Sequence, residues 1–131
     1  RYPLWITEGL ATGFESEAPD RSFGPDRACA AREAQFDIVL AEARPEPLPA
    51  FVARLRASEH AQPADAEYAQ AYALFRHVAR FNREELAALL GDIATEPAGE
   101  ISPSRHAELF ERRFGAPDAF GRRWVRLEGG G

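Results

Sequence analysis

Between Ala64 and Phe81 lies the stretch that most narrowly limits what this chain can fold into. Tyr68, Tyr72, Phe75 and Ala79 recur at helical spacing, and Ala71, Leu74, Val78 and Phe81 widen the same apolar stripe. A helix with so wide a stripe must be covered on most sides. It is therefore predicted to be central, with Tyr72, Phe75 and Val78 in the core. No segment alternates apolar and polar residues with the period of a strand, and no repeat of fixed period appears. The 131 residues read as one all-α domain over 1–131, an irregular bundle of about five to seven helices.

The remaining helices are placed by their caps and breakers. Pro25 or Asp26 opens a helix to about Ala43, with Phe36, Val39, Leu40 and Ala43 on its apolar side. Pro45, Pro47 and Pro49 interrupt it, and Pro49 suits the first position of a short helix carrying Phe51, Val52 and Leu55. Asn82 and Glu85 are spaced as a capping box for a helix over Leu86, Leu89 and Leu90, with Gly91 placed to end it. Ser102-Pro103 is an N-cap followed by proline, and Leu109, Phe110 and Phe114 form that helix's apolar side. Gly115 to Pro117 breaks the chain before a last helix, capped by Asp118 and carrying Phe120, Trp124 and Val125. Ser16 to Pro25 and Ser58 to Pro63 read as loops, and Gly129 to Gly131 as a frayed tail.

The segment Tyr2 to Glu15 carries residues that look selected for chemistry as well as packing. Wound as a helix, it places Ile6, Leu10, Ala11 and Phe14 on one side, expected to face the core. Glu8, Thr12 and Glu15 share the other side with Trp5, and Gly9 and Gly13 lie on a flank. A glycine inside a helix costs about 1 kcal/mol relative to alanine, which close approach of another backbone can offset. The expected element is a helix with a core face and a second face prepared for a close neighbour.

The run Trp5-Ile6-Thr7-Glu8-Gly9-Leu10-Ala11, followed by Phe14-Glu15, resembles the third-ligand helix of gluzincin zinc metallopeptidases. In that family a His-Glu-x-x-His helix supplies two zinc ligands and the general base, and a second helix with a Trp-x-x-Glu-Gly-x-Ala pattern supplies a glutamate. The resemblance implies that Glu8 is the third ligand and that Trp5, Gly9, Thr12 and Glu15 lie in the cleft or behind the metal. It also implies a fold like the C-terminal helical part of these enzymes, with a peptide as substrate of the parent protein. Downstream, Asp26-Arg27, Pro47-Leu48-Pro49, Tyr68 to Leu74, Phe114-Gly115 and Trp124 follow the order of an uncharacterised, peptidase-MA-like bacterial family of unknown function. His-Glu-x-x-His itself is absent: His60, His77 and His106 are followed by alanine, valine and alanine.

A zinc site needs about three protein ligands and their supporting shell. The chain alone is thus expected to bind no zinc tightly and to hydrolyse no peptide, zinc belonging to the parent protein. No residue is methionine, so Arg1 is read as an internal residue and the chain as part of a longer protein whose preceding segment bears the missing motif. With that segment gone, the side holding Trp5, Gly9 and Thr12 is expected to stay an exposed apolar strip or to meet a second copy of the chain. The alternative reading is a stand-alone α-helical interaction module that binds a partner in a groove beside Trp5.

Composition excludes some classes and leaves others open. All 16 basic residues are arginine, which with the abundant alanine suggests a GC-rich bacterial genome. A net charge of −5 with dispersed arginines argues against nucleic-acid binding. No apolar run approaches roughly 20 residues, so no membrane-spanning helix is expected. Cys29 stands alone and reads as a small buried residue, not a nucleophile. Tyr68 and Tyr72 read as core residues with satisfied hydroxyls, although their type also occurs as oxyanion donors in metallopeptidases. His77 is expected to be partly exposed, and His60 and His106 to lie on the surface.

Overall fold

A computed structural model describes residues 1–13, 30–42, 45–57 and 66–129. Among these residues there are seven helices: α1 (Leu4–Gly13), α2 (Ala30–Ala41), α3 (Leu48–Phe51), α4 (Ala66–Phe81), α5 (Arg83–Thr95), α6 (Pro103–Phe114) and α7 (Pro117–Gly129). The architecture is an all-α bundle. The loop over Ser16 to Pro25, together with Phe14, Glu15, Cys29 and His60, lies outside the described residues.

Helix α4 is the axis, as its wide stripe predicts. Ala71, Tyr72, Leu74, Phe75, Val78 and Ala79 are all buried, and α1, α2 and α5 pack against it. Phe81 departs from the stripe. It is 66% exposed, because the chain leaves α4 there and turns into α5. A run of aromatic contacts joins the outer helices to this axis. Trp5 of α1 packs on Phe75 at 6.2 Å and edge-on to Phe110 of α6 at 6.0 Å, and Phe110 meets Phe120 of α7 at 5.6 Å. Such pairs contribute about 0.5–1.5 kcal/mol each beyond their buried area. Phe36 of α2 stacks on Trp124 of α7 at 5.4 Å, which closes the other side of the bundle.

Several ends are fixed by polar contacts. Ser102 Oγ accepts the Arg105 amide at 3.2 Å, so the expected cap of α6 forms, and Gly115 ends that helix at φ 82°. At α5 the expected capping box does not form, since Asn82 makes no side-chain cap bond. The reason is continuity with α4: the Asn82 amide donates to the Val78 carbonyl at 2.8 Å, and its own carbonyl accepts from Leu86 at 2.9 Å. Gly91 does not stop α5 either. The helix runs on to Thr95, because Leu86, Leu89 and Ile93 keep their spacing and all three are buried. The C-terminal carbonyls of α5 are taken by Arg1, whose guanidinium donates to Ile93 at 2.7 Å and to Glu96 at 2.6 Å. A cation at a helix C-terminus is favoured by the dipole as well.

A buried ionic knot anchors α3 to α4. Arg54 pairs with both Glu46 and Glu67, and Glu67 is only 5% exposed. Gln70 completes the knot: its amide nitrogen donates to the Glu46 carbonyl at 2.8 Å, and its amide oxygen accepts the Glu46 N–H at 2.8 Å. The Arg54 carbonyl in turn accepts the Leu4 amide at 2.7 Å. Through this single residue the start of α1 is tied to the α3–α4 connection.

Candidate functional site

Helix α1 buries Ile6 as expected, but its core face is turned toward Trp5 and Thr12 instead of Leu10 and Ala11. Trp5, Ile6, Gly9 and Thr12 are buried, whereas Leu10 is 41% exposed and Ala11 is exposed. The strip around Trp5, Gly9 and Thr12 is thus covered within the chain itself, by α4. Trp5, at 1% exposure, is interior. The apolar strip expected to lie exposed is thus buried. Close approach at Gly9 does occur, but its partner is α4: a Cβ on Gly9 would lie 2.2 Å from the Phe75 Cβ. Thr12 is accommodated in this interface because its hydroxyl donates to the Glu8 carbonyl at 2.8 Å.

Glu8 sits at the border of the covered face. It is half-buried, and its neighbours three and four residues away on the helix surface are buried Leu4, Trp5 and Thr12 and exposed Ala11. Among the described residues its carboxylate has no hydrogen bond or ion pair. The same residues contain no group of three or more His, Cys, Asp or Glu able to hold a metal ion. Glu15 lies outside the described residues.

A second feature was not visible in the sequence: an open groove of about 890 Å³ between α2, α4 and α7. Its floor is aromatic, from Phe36, Tyr72, Phe120 and Trp124. On the α2 wall Glu33 accepts from the Tyr72 hydroxyl at 3.1 Å and pairs with Arg76 at 3.0 Å. Arg80 of α4 lies over the Phe81 ring and Arg123 of α7 over Phe120. Neither of these arginines has a carboxylate partner among the described residues. The indole N–H of Trp124 is buried without an acceptor among the described residues.

The histidines differ from expectation. His77 is buried between Phe81 at 5.1 Å and Phe120 at 6.1 Å, on the wall of the groove. His106, expected at the surface, is 2% exposed, and its Nε2 has no partner among the described residues. Burial lowers its pKa, partly opposed by a hydrogen bond to the Arg1 backbone. The polar neighbours Arg105 and Glu108 hide this burial in the sequence. Periodicity gives it away: His106 shares the face of Leu109 and Phe110, three and four residues on. Tyr72 is a core residue with its hydroxyl satisfied, as expected.

A family model matches residues 1–99, through α1 to α5. The chain belongs to the family described as a protein of unknown function, DUF1570. Within this DUF1570 chain the matched part carries Glu8 and two of the three helices of the groove, while α6 and α7 follow it. No curated protein and no solved structure matches the chain. No helix among the described residues is long and apolar enough to cross a membrane.

Proposed function

We propose that this chain is the glutamate-bearing helical part of a gluzincin-type zinc metallopeptidase, with Glu8 as the third protein ligand. The observation that carries the reading is the state of Glu8: a half-buried carboxylate without a cation among the described residues, at the edge of an exposed arc of α1. A carboxylate so placed gains from a cation brought to that edge. The rest of α1 is held by packing on α4 and by the Leu4–Arg54 backbone bond, so the carboxylate starts from a fixed helix. The arc of Thr7 and Ala11 offers small side chains over which a second helix can approach. When bound, a catalytic zinc polarises the scissile carbonyl and acidifies its water. The part of Glu8 is to supply one oxygen and to fix the direction of approach.

The test uses the longer parent protein, including whatever precedes Arg1, purified with its metal. Glu8→Gln removes the charge while keeping the shape. It is expected to weaken zinc affinity by at least about tenfold and to abolish chelator-sensitive peptide hydrolysis, with the circular dichroism spectrum unchanged. The 131-residue chain alone is expected to bind zinc no tighter than the millimolar range. A parent protein that holds no zinc, or whose Glu8→Gln variant retains it fully, would remove the ligand assignment.

A further inference from the structure

We propose that the groove between α2, α4 and α7 is a docking site for an acidic polypeptide segment that carries apolar side chains. This inference is independent of the zinc reading, because Glu8 and α1 take no part in the groove. Its first support is charge. Arg80 lines it from α4 and Arg123 from α7, each held over an aromatic ring and neither matched by a carboxylate among the described residues. In a chain of net charge −5, two guanidinium groups lining one groove without a carboxylate partner among the described residues mark a place where negative charge is received.

The second support is exposed apolar surface. Phe81 and Leu127 are the two most exposed large apolar side chains among the described residues, at 66% and 68%, and both line this groove. Two such residues beside an aromatic floor form an apolar patch of the kind that marks binding surfaces. Guanidinium groups and apolar side chains side by side fit a ligand with the same alternation, carboxylates next to hydrophobic groups.

The walls also select the class of occupant. Glu33 and Asp37 line the α2 side, so a polyphosphate backbone would meet two carboxylates. A peptide avoids this by presenting its acidic side chains to α4 and α7 only. A volume of about 890 Å³ that remains open along its length suits a segment with several side chains better than one enclosed small molecule.

Fluorescence anisotropy with a labelled amphipathic peptide of leucine and glutamate tests the proposal, against the same peptide with lysine at every glutamate. The glutamate peptide is expected to bind at least about tenfold more tightly. The double variant Arg80→Glu/Arg123→Glu should reduce that binding about tenfold or more, and Phe81→Ser/Leu127→Ser should do so independently. All four positions are exposed, and far-ultraviolet circular dichroism checks that the fold is kept. Arg56→Glu/Arg112→Glu, with the same change in net charge on other exposed arginines, should leave binding within about twofold. Equal binding of the two peptides, or equal loss in the Arg56/Arg112 control, would overturn the proposal. So would binding of dodecanoate without the peptide, or self-association abolished by the Arg80/Arg123 variant in place of peptide binding.

Discussion

Gly9 of α1 and Phe75 of α4 are so close that any side chain at position 9 would overlap the ring: a Cβ there stands 2.2 Å from the Phe75 Cβ and 3.2 Å from the Ala71 carbonyl oxygen. Both contacts are with the inner part of α4, which cannot swing aside as a flexible chain end can. Gly9→Ala is therefore expected to push α1 away from α4. Alanine's helix preference returns only about 1 kcal/mol, against an overpacking cost of about 1–3 kcal/mol and further loss as Trp5 shifts. Urea unfolding should show a net loss of at least about 1 kcal/mol.

Gly91 provides the contrast. It lies inside α5, is exposed, and a Cβ there would meet nothing within 4 Å. Gly91→Ala should raise stability by about 0.5–1 kcal/mol, read from the same urea midpoints. A loss at this position would mean that α5 does not continue past Gly91 in solution.

The two expected N-caps differ in the same measurable way. Ser102 receives the Arg105 amide, so Ser102→Ala should cost about 1 kcal/mol. Asn82 caps nothing with its side chain, so Asn82→Ala should change stability by no more than about 0.5 kcal/mol. Equal losses at the two positions would indicate that the Asn82 cap forms after all.

How far the fold can be read from the sequence follows from which signals are local. Helices α4 and α6 are legible because their apolar stripes, and for α6 the Ser102-Pro103 start, act within a few residues. Gly91 misleads because its penalty of about 1 kcal/mol is outweighed by burying Ile93 two residues further on. In α1 the two faces, Trp5 with Gly9 and Thr12 against Leu10 with Ala11, differ little in hydrophobicity. Only the shape of α4, with Phe75 waiting for a glycine, decides between them. Of the candidate sites, Glu8 is named by a motif, but the groove is not. It depends on α2, α4 and α7 meeting across long sequence separations, which no local pattern announces.

The ionic knot makes a prediction about cost of removal. Glu67 is 5% exposed and paired with Arg54, so Arg54→Ala leaves a buried carboxylate without its cation. The expected loss is about 3 kcal/mol, with Glu46 also released and the Leu4–Arg54 region loosened. The double variant Arg54→Met/Glu67→Leu should recover much of it, since paired apolar replacements avoid the unpaired charge. Calorimetric or urea-derived stabilities of the two variants check this. A loss below about 1 kcal/mol for Arg54→Ala would show that water reaches Glu67.

His106 gives the fold a dependence on pH whose sign can be worked out. Desolvation lowers its pKa below the ordinary value of 6.5. Between the folded and unfolded values the unfolded chain binds more protons, so stability rises with pH in that window. The stabilisation is complete above pH 6.5 and is lost as pH falls below it, when the unfolded imidazole takes up a proton that the buried one resists. Asp92 acts in a separate range. Its bidentate bonds to Arg113, at 2.7 and 2.8 Å, lower its pKa from 3.8, and its contribution fades only in stronger acid. Comparing urea midpoints at about pH 7.5 and about pH 5.5 therefore isolates His106 from that pair. The protein should be less stable at the lower pH, and His106→Gln, which keeps a donor near the Arg1 backbone but does not titrate, should flatten the difference. An unchanged pH dependence in that variant would assign the effect to another group and place the imidazole of His106 in contact with water.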